Sequence, residues 1–274
     1  MPNRNLSHVD DPRPSAAWRE SGPIAANASC RTYRILPAGD TALVVEFGDS
    51  IDRNINAKVL ALAQRLNEVR LEGIIEWVPT FRSLLVHYDP HLLPIGSLNA
   101  HIAELMLDLQ IKERSGRSWH LPVCYDARLA PDIDEVASHT GLSPVQVVEC
   151  HSTAAYHVYM LGFLPGMAYL GDVPAKLVLP RLATPRLRVP AGSLAIATTM
   201  TCIIPLETPS GWHVIGRSPV TFLRRQPHVA ALLAAGDTVK FMPVSLREYE
   251  QLEARAAAGM LHIAPVDETM ERAA

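Results

Sequence analysis

Six polar side chains stand out in residues 156–219, a stretch otherwise made of short apolar runs: Arg181, Arg186, Arg188, Ser193, His213 and Arg217. Arg186 and Arg188 are two residues apart, so on a strand they share a face. A guanidinium pair held that way suits a carboxylate or a phosphate, because each fork offers two parallel hydrogen bonds. Ion pairing with an Asp or Glu of this chain or of a partner is the alternative. His213 follows Trp212 and is flanked by Gly211 and Gly216. An imidazole there can act as general acid or base, or orient a carbonyl. A half-buried histidine bonded to backbone is the competing reading. His213 and Arg217 are four apart, which predicts one strand face carrying a titratable ring and a fixed cation. These two are the candidate catalytic residues, and Arg186 and Arg188 the candidate substrate-binding pair.

Ser193 follows Pro190-Ala191-Gly192. No G-x-S-x-G elbow surrounds it and no Asp-His set is evident, so it reads as a turn hydroxyl or a ligand hydrogen bond rather than a nucleophile. Phe163 and Tyr169 lie in and just after the GFLPG loop at 162–166 and offer apolar contact to a ligand, or serve as plain core aromatics. Arg181 reads as a loop anchor. His157 and Tyr159 alternate on one predicted strand and are placed to line a barrel.

Other chemistries find no support. The four cysteines (Cys30, Cys124, Cys150, Cys202) are widely spaced without a C-x-x-C pair, and HExxH and Cys/His ligand spacings are absent, so no metal is expected. No G-x-x-x-x-G-K-[ST] loop is present to cradle a nucleotide. Lys and Arg are scattered, with a formal net charge of -3, which argues against nucleic acid or an anionic membrane as partner. Apolar runs fall short of the roughly 20 residues a membrane helix needs, and no secretory signal is evident, so a cytoplasmic location is the expectation.

The elements that must position these groups are legible from punctuation. Prolines and glycines cut 156–219 into runs of strand length, which predicts an all-β module. Upstream, Arg34-Ile35-Leu36 and 41–47 read as strands. Ile55, Val59, Leu62, Leu66 and Val69 form the apolar stripe of a helix. Two strands broken near Pro79 follow, then a helix opened by Ser97 with Leu98, Ile102, Leu105 and Leu109 on one face. This pattern predicts a small antiparallel sheet covered on one side by helices. Residues 1–32 read as a flexible tail, and the polar run at 112–118 as a linker. Asp132 with Glu135 is placed to cap a short helix that Gly141 stops, and Ser143-Pro144 with Gln146 opens another as a capping box. HVAALLAA (228–235) reads as a helix, 238–242 as a closing strand, and 247–274 as a helical tail that frays.

The ordered motifs GFLPGMAYLG, PRLATPRLRVPAGSLAIA and PSGWHVIGRSP resemble the signature segments of the allophanate hydrolase subunit 1 family. LPAGDTALVVEFG, GIIEWVPTFRSLLVHYDP, LPVCYD and GLSPVQVVECH agree with it too, so the resemblance covers roughly 33–245. It implies a ferredoxin-like α+β domain over 33–114, followed by a cyclophilin-like β-barrel over 118–246. It further implies a homologous second barrel, of the kind known as subunit 2, with the active cleft between the two, and a LamB-type third protein. The activity implied is ATP-dependent cleavage of 5-oxoproline, a small amide bearing a carboxylate, with this chain in the place of the B subunit. The same family includes a KipI-type inhibitor of a sensor histidine kinase and modules of urea- and allophanate-processing systems. One stretch departs from the family pattern IAG-x-QTGIYP-x-x-SPGGW. Thr198, Cys202 and Ser210 stand where glycines are usual, Met200 replaces a Gln, and Ile204 replaces a Tyr. These changes point either to a different ligand or to a strand that serves packing.

Overall fold

A computed structural model of the chain describes residues 33–111, 116–226 and 229–266. The tail expected over 1–32, with Cys30, and residues 112–115 of the expected linker lie outside the described residues. The amino-terminal part runs β1 (Arg34–Pro37), β2 (Ala42–Glu46), α1 (Arg53–Val69), β3 (Ile74–Pro79), β4 (Ser83–Tyr88) and α2 (Ile95–Leu107). Its four strands form one antiparallel sheet in the order β1-β2-β4-β3, so β2 and β3 flank β4 and are joined by α1. α1 starts where the Asp52 carboxylate accepts the backbone N–H groups of Asn54 and Ile55 at 2.8 and 3.1 Å. Val59, Leu62 and Leu66 of α1 and Leu98, Ile102 and Leu105 of α2 pack on Leu43, Val45, Leu84 and Val86 of the sheet. The predicted stripe is thus the buried face, except at its far end, where Val69 is exposed.

The second part adds β5 (Ser118–Val123), α3 (Ile133–Thr140), α4 (Pro144–Ser152), β6 (Ala155–Leu161), β7 (Ala168–Gly171), β8 (Arg186–Val189) and β9 (Ser193–Ala197). It continues with β10 (Met200–Ile203), β11 (Thr208–Ser210), β12 (His213–Arg217), β13 (Leu223–Gln226), β14 (Val229–Ala231), β15 (Thr238–Pro243) and α5 (Leu246–Ala257). Seven strands make one curled mixed sheet in the order β12-β9-β10-β7-β6-β15-β5, with β15 and β5 its parallel pair. Among the described residues, its two edges meet at a single bridge. Cys124 and Arg217 exchange backbone hydrogen bonds, each 2.9 Å long. β8 and β11 form a separate two-stranded ribbon. α4 opens with the predicted capping box of Ser143 and Gln146, and Gly141 closes α3 in the left-handed region at φ 70°.

One expectation fails here. The stretch read as a helix over 228–235 carries β14, paired with β13, so a local Ala and Leu preference for helix yields to strand pairing. The tail expected over 247–274 begins with a helix, α5, that ends at Ala257, and the chain runs on without helix to Val266, which bridges Ser118; residues 267–274 lie outside the described residues. No helix among the described residues is long and apolar enough to cross a membrane.

A buried histidine ties α4 to the curled sheet. His151 is fully enclosed, with Tyr125 Oη 2.9 Å from Nδ1, Thr201 Oγ1 3.1 Å from Nε2, and Phe241 stacked at 5.0 Å. Burial without a charged partner lowers its pKa to about 3. A second polar tie joins the two parts. Asn56, on the buried face of α1, donates through Nδ2 to the carbonyls of Thr80 (3.0 Å), Phe81 (3.3 Å) and Tyr159 (3.1 Å). Its Oδ1 accepts from His157 Nε2 at 3.1 Å.

Candidate functional site

Ser193 begins β9 and Arg217 ends β12, and the antiparallel register sets the two directly opposite each other. Cross-strand partners project to the same face with Cβ atoms about 5 Å apart. Gly192 makes this corner possible. It sits at φ +80°, and a Cβ there would lie 2.5 Å from the Ser218 carbonyl oxygen, so only glycine fits. The corner opens into a pocket of about 220 Å³ whose lining includes Arg128, Arg186, Arg188, Ser193, Val214 and Arg217. Four of the residues singled out by sequence, Arg186, Arg188, Ser193 and Arg217, are therefore brought together.

Two of those arginines are engaged within the chain. Arg186 Nη1 donates to Asp132 Oδ2 at 2.6 Å, and Nη2 donates to the other oxygen of the same carboxylate. Asp132 is 1% exposed and also accepts the backbone N–H of Val214 at 2.6 Å. The expected cap of α3 by Asp132 with Glu135 does not form. The Asp132 side chain makes no cap hydrogen bond, because it turns to β8 and β12 instead. Arg188 Nε donates to Glu207 Oε1 at 2.9 Å, on the β11 side of the ribbon. Arg128 pairs with Asp126 at 2.9 Å. Ser193 Oγ and Arg217 Nε are both buried and have no hydrogen-bond partner among the described residues. The hydroxyl of Tyr249 approaches Arg217 from α5 while donating to Glu253 Oε1 at 2.6 Å. Burial, then the Glu253 bond, holds that phenol well above its usual range.

His213 does not share this face with Arg217. The register of β12 shifts between Val214 and Gly216, and that bulge inverts the alternation, so Val214 and Arg217 line the pocket while His213 points elsewhere. Its Nε2 donates to the Pro180 carbonyl at 3.0 Å, and its Nδ1 is buried without a partner among the described residues. Tyr169 lies outside the pocket as well, edge-on to Phe81 at 5.8 Å and to Trp212 at 5.9 Å. Phe163 is 72% exposed at φ 67°, on the loop between β6 and β7. Arg181 sits 5.9 Å above the Trp212 ring, as a loop anchor would. His157 and Tyr159 face Asn56, Arg53 and Asp172 rather than the pocket. Arg53 Nε donates to Asp172 at 2.7 Å, and Tyr159 Oη to the other oxygen at 3.4 Å. Burial raises the Tyr159 pKa to about 12.

Three of the five departures pack in the core. Met200, Cys202 and Ile204 are all buried, in one apolar cluster with Tyr159, Val189, Trp212 and Val214. Thr198 holds φ 54°, a left-handed conformation where a β-branched residue is strained and a glycine is at ease. Sequence reasoning misses Arg128, Asp132 and Asn56 as site or framework residues. Their partners lie far away along the chain or carry no motif, and only the proximity of Asp126 to Arg128 gives any local signal.

The carboxyltransferase domain, subdomain C and D, family model matches residues 33–233. The chain is 37% identical over 228 residues to the B subunit of 5-oxoprolinase from Bacillus subtilis (strain 168), covering 79% of this chain and 95% of that protein. It is 35% identical to TTHA0988 in a crystal structure with a TM-score of 0.67, covering 74% of this chain and 40% of that one, so it spans less than half of that longer protein. The K. lactis urea amidolyase structure superposes with a TM-score of 0.72 at 20% identity over 85% of this chain and 16% of that one, a likeness of fold alone. With a family model spanning most of its described length and a relative matched nearly end to end, this chain belongs to the carboxyltransferase domain, subdomain C and D, family.

Proposed function

We propose that this chain is the B subunit of an ATP-dependent 5-oxoprolinase-type amidohydrolase complex. The observation that carries this reading is the match over 95% of a Bacillus subtilis protein named as that component of 5-oxoprolinase. In this reading, 33–114 is a ferredoxin-like domain and 118–246 a cyclophilin-like barrel. The barrel forms a shared cleft with a homologous barrel protein of the subunit 2 type, a LamB-type protein completes the assembly, and the complex is cytoplasmic. Arg186, Arg188, Ser193 and Arg217 are the residues of this chain turned to a small amide substrate that bears a carboxylate, and the four arginines lining their pocket support that. His213, Phe163 and Tyr169 take framework or partner-facing roles. ATP is consumed by the complex, with its site elsewhere. A pocket of about 220 Å³ is smaller than the 300 Å³ or more typical of drug-sized ligands and does not accommodate a nucleoside triphosphate.

The test is reconstitution. This chain, co-expressed with the homologous barrel protein and the LamB-type protein, is expected to copurify with them and to release glutamate from 5-oxoproline with ATP consumption. The chain alone is expected to be inactive. Turnover by the chain alone, or a complete assembly without turnover, overturns the reading. Recovery of a sensor histidine kinase instead of the barrel partner replaces it with the inhibitor function.

A further inference from the structure

We infer that the corner formed by Ser193 and Arg217 is a binding site for a single carboxylate, complete on this chain. The inference deepens the function proposed above and rests on it for the identity of the natural ligand, but not for its test. Ser193 is 1% exposed, and its Oγ has no hydrogen-bond partner among the described residues; Arg217 Nε is likewise buried and unpartnered. Buried donors in folded proteins are nearly always paired, and an unmade bond is costly. Here two unmade bonds lie side by side, on facing residues of β9 and β12, and both residues line one pocket. Their shared requirement is an acceptor with two oxygens, which a carboxylate supplies.

Charge selects the monoanion. Three of the four arginines lining the pocket face a carboxylate of this chain: Arg128 with Asp126, Arg186 with Asp132 and Arg188 with Glu207. Among the described residues, Arg217 faces none within ion-pair distance; what its side chain meets is the Tyr249 hydroxyl, which donates to Glu253. One uncompensated cation calls for one negative charge, whereas a phosphate dianion would leave the site over-compensated. The remaining lining, Leu129, Pro131, Val189 and Pro190, gives an apolar wall for the carbon part of a small acid. In this arrangement Arg186, clamped by Asp132, shapes the pocket without carrying the ligand's charge.

The experiment uses the full chain without partners at about pH 8.5, where inorganic phosphate is a dianion, titrated with acetate, 5-oxoproline and inorganic phosphate at ionic strength matched with sodium chloride. Binding is read by calorimetry and by thermal unfolding. Acetate and 5-oxoproline are expected to bind saturably, with phosphate no better than chloride. Ser193→Ala removes an unpaired hydroxyl, so in chloride the melting temperature is expected to stay level or rise. Carboxylate binding is expected to weaken by about tenfold or more, the size of one charge-assisted hydrogen bond. Arg217→Lys, which keeps the charge and loses Nε, is expected to weaken it similarly. No saturable carboxylate binding, phosphate binding as tight as acetate, or Ser193→Ala binding acetate like the parent chain overturns the inference. Ser193-dependent acetate binding in a chain whose reconstituted complex has no 5-oxoproline turnover would sink the proposed function and leave this site standing.

Discussion

The buried carboxylate of Asp132 joins three elements at once, accepting Arg186 of β8 and the Val214 N–H of β12 from the first position before α3. Its two partners lie 54 and 82 residues away in sequence. This bond set fixes the pocket wall. Asp132→Asn keeps the shape but replaces an ionised acceptor with a neutral amide facing a guanidinium. It is expected to destabilise the chain by roughly 3 kcal/mol, the size expected for breaking a buried ion pair, discounted for the partial exposure of Arg186. Denaturant unfolding of the variant against the parent chain measures it, and a loss well under about 1 kcal/mol would show that the clamp is dispensable.

Asn56 spends both donor hydrogens on backbone carbonyls of β6 and of the turn after β3, while its oxygen accepts a hydrogen bond from His157 Nε2–H. Asn56→Asp sets a carboxylate against those carbonyls, whereas Asn56→Ala only leaves them unpaired. Both variants are expected to unfold at lower denaturant than the parent. The Asp variant should be the weaker of the two, by about 1 kcal/mol or more. The reverse order would mean the amide's donors are not what holds α1 to β6.

His151 makes stability depend on pH with a definite sign. Its folded pKa, about 3, lies below the ordinary value of 6.5, so the folded state prefers the neutral ring. Stability from this group is full above pH 6.5 and is lost as pH falls from there towards 3, by up to about 1.4 kcal/mol for each pH unit. Burial and Arg53 lower the pKa of His157 as well, which adds a loss of the same sign. His151→Gln is expected to flatten most of the slope between about pH 6.5 and 4.5 in equilibrium unfolding. An unchanged slope would assign the acid sensitivity to other groups.

Thr198→Gly is expected to stabilise the chain by about 1 kcal/mol, because it removes a β-branched side chain from the left-handed region at the turn between β9 and β10. The hydrogen bond from Thr198 N to the Leu179 carbonyl, 2.6 Å long, is retained in the variant. A lower melting temperature for Thr198→Gly would show that the Thr198 hydroxyl, bonded to the Ala197 carbonyl at 2.6 Å, outweighs the strain.

What can be read from the sequence is mainly local. The stripe of Val59, Leu62 and Leu66, the Ser143 capping box and the stop at Gly141 each depend on residues within a turn or two, and each forms as expected. The spacing of Arg186, Arg188, Ser193 and Arg217 draws attention to residues that do share a pocket. The expected link between His213 and Arg217 fails because period-two counting has no way to foresee a bulge. Gly216, where a Cβ would come within 2.9 Å of Val123, marks the crowding there only once the neighbouring strand is known. The strand at Val229–Ala231 is hidden by composition, since its pairing with β13 overrides the helical bias of alanine and leucine. Asp132 reads as a cap because its long-range partners leave no trace near it in the chain.

Among the described residues, the curled sheet closes at one bridge, where Cys124 and Arg217 exchange a pair of main-chain hydrogen bonds. Arg217 therefore has two duties: its backbone latches the seam, and its side chain looks into the pocket. Any breathing motion that unlatches the seam must also withdraw that guanidinium, and anything gripping the guanidinium must hold the seam shut. Amide hydrogen exchange at Cys124 and Arg217 is thus a direct gauge of pocket occupancy, slowing as the site fills.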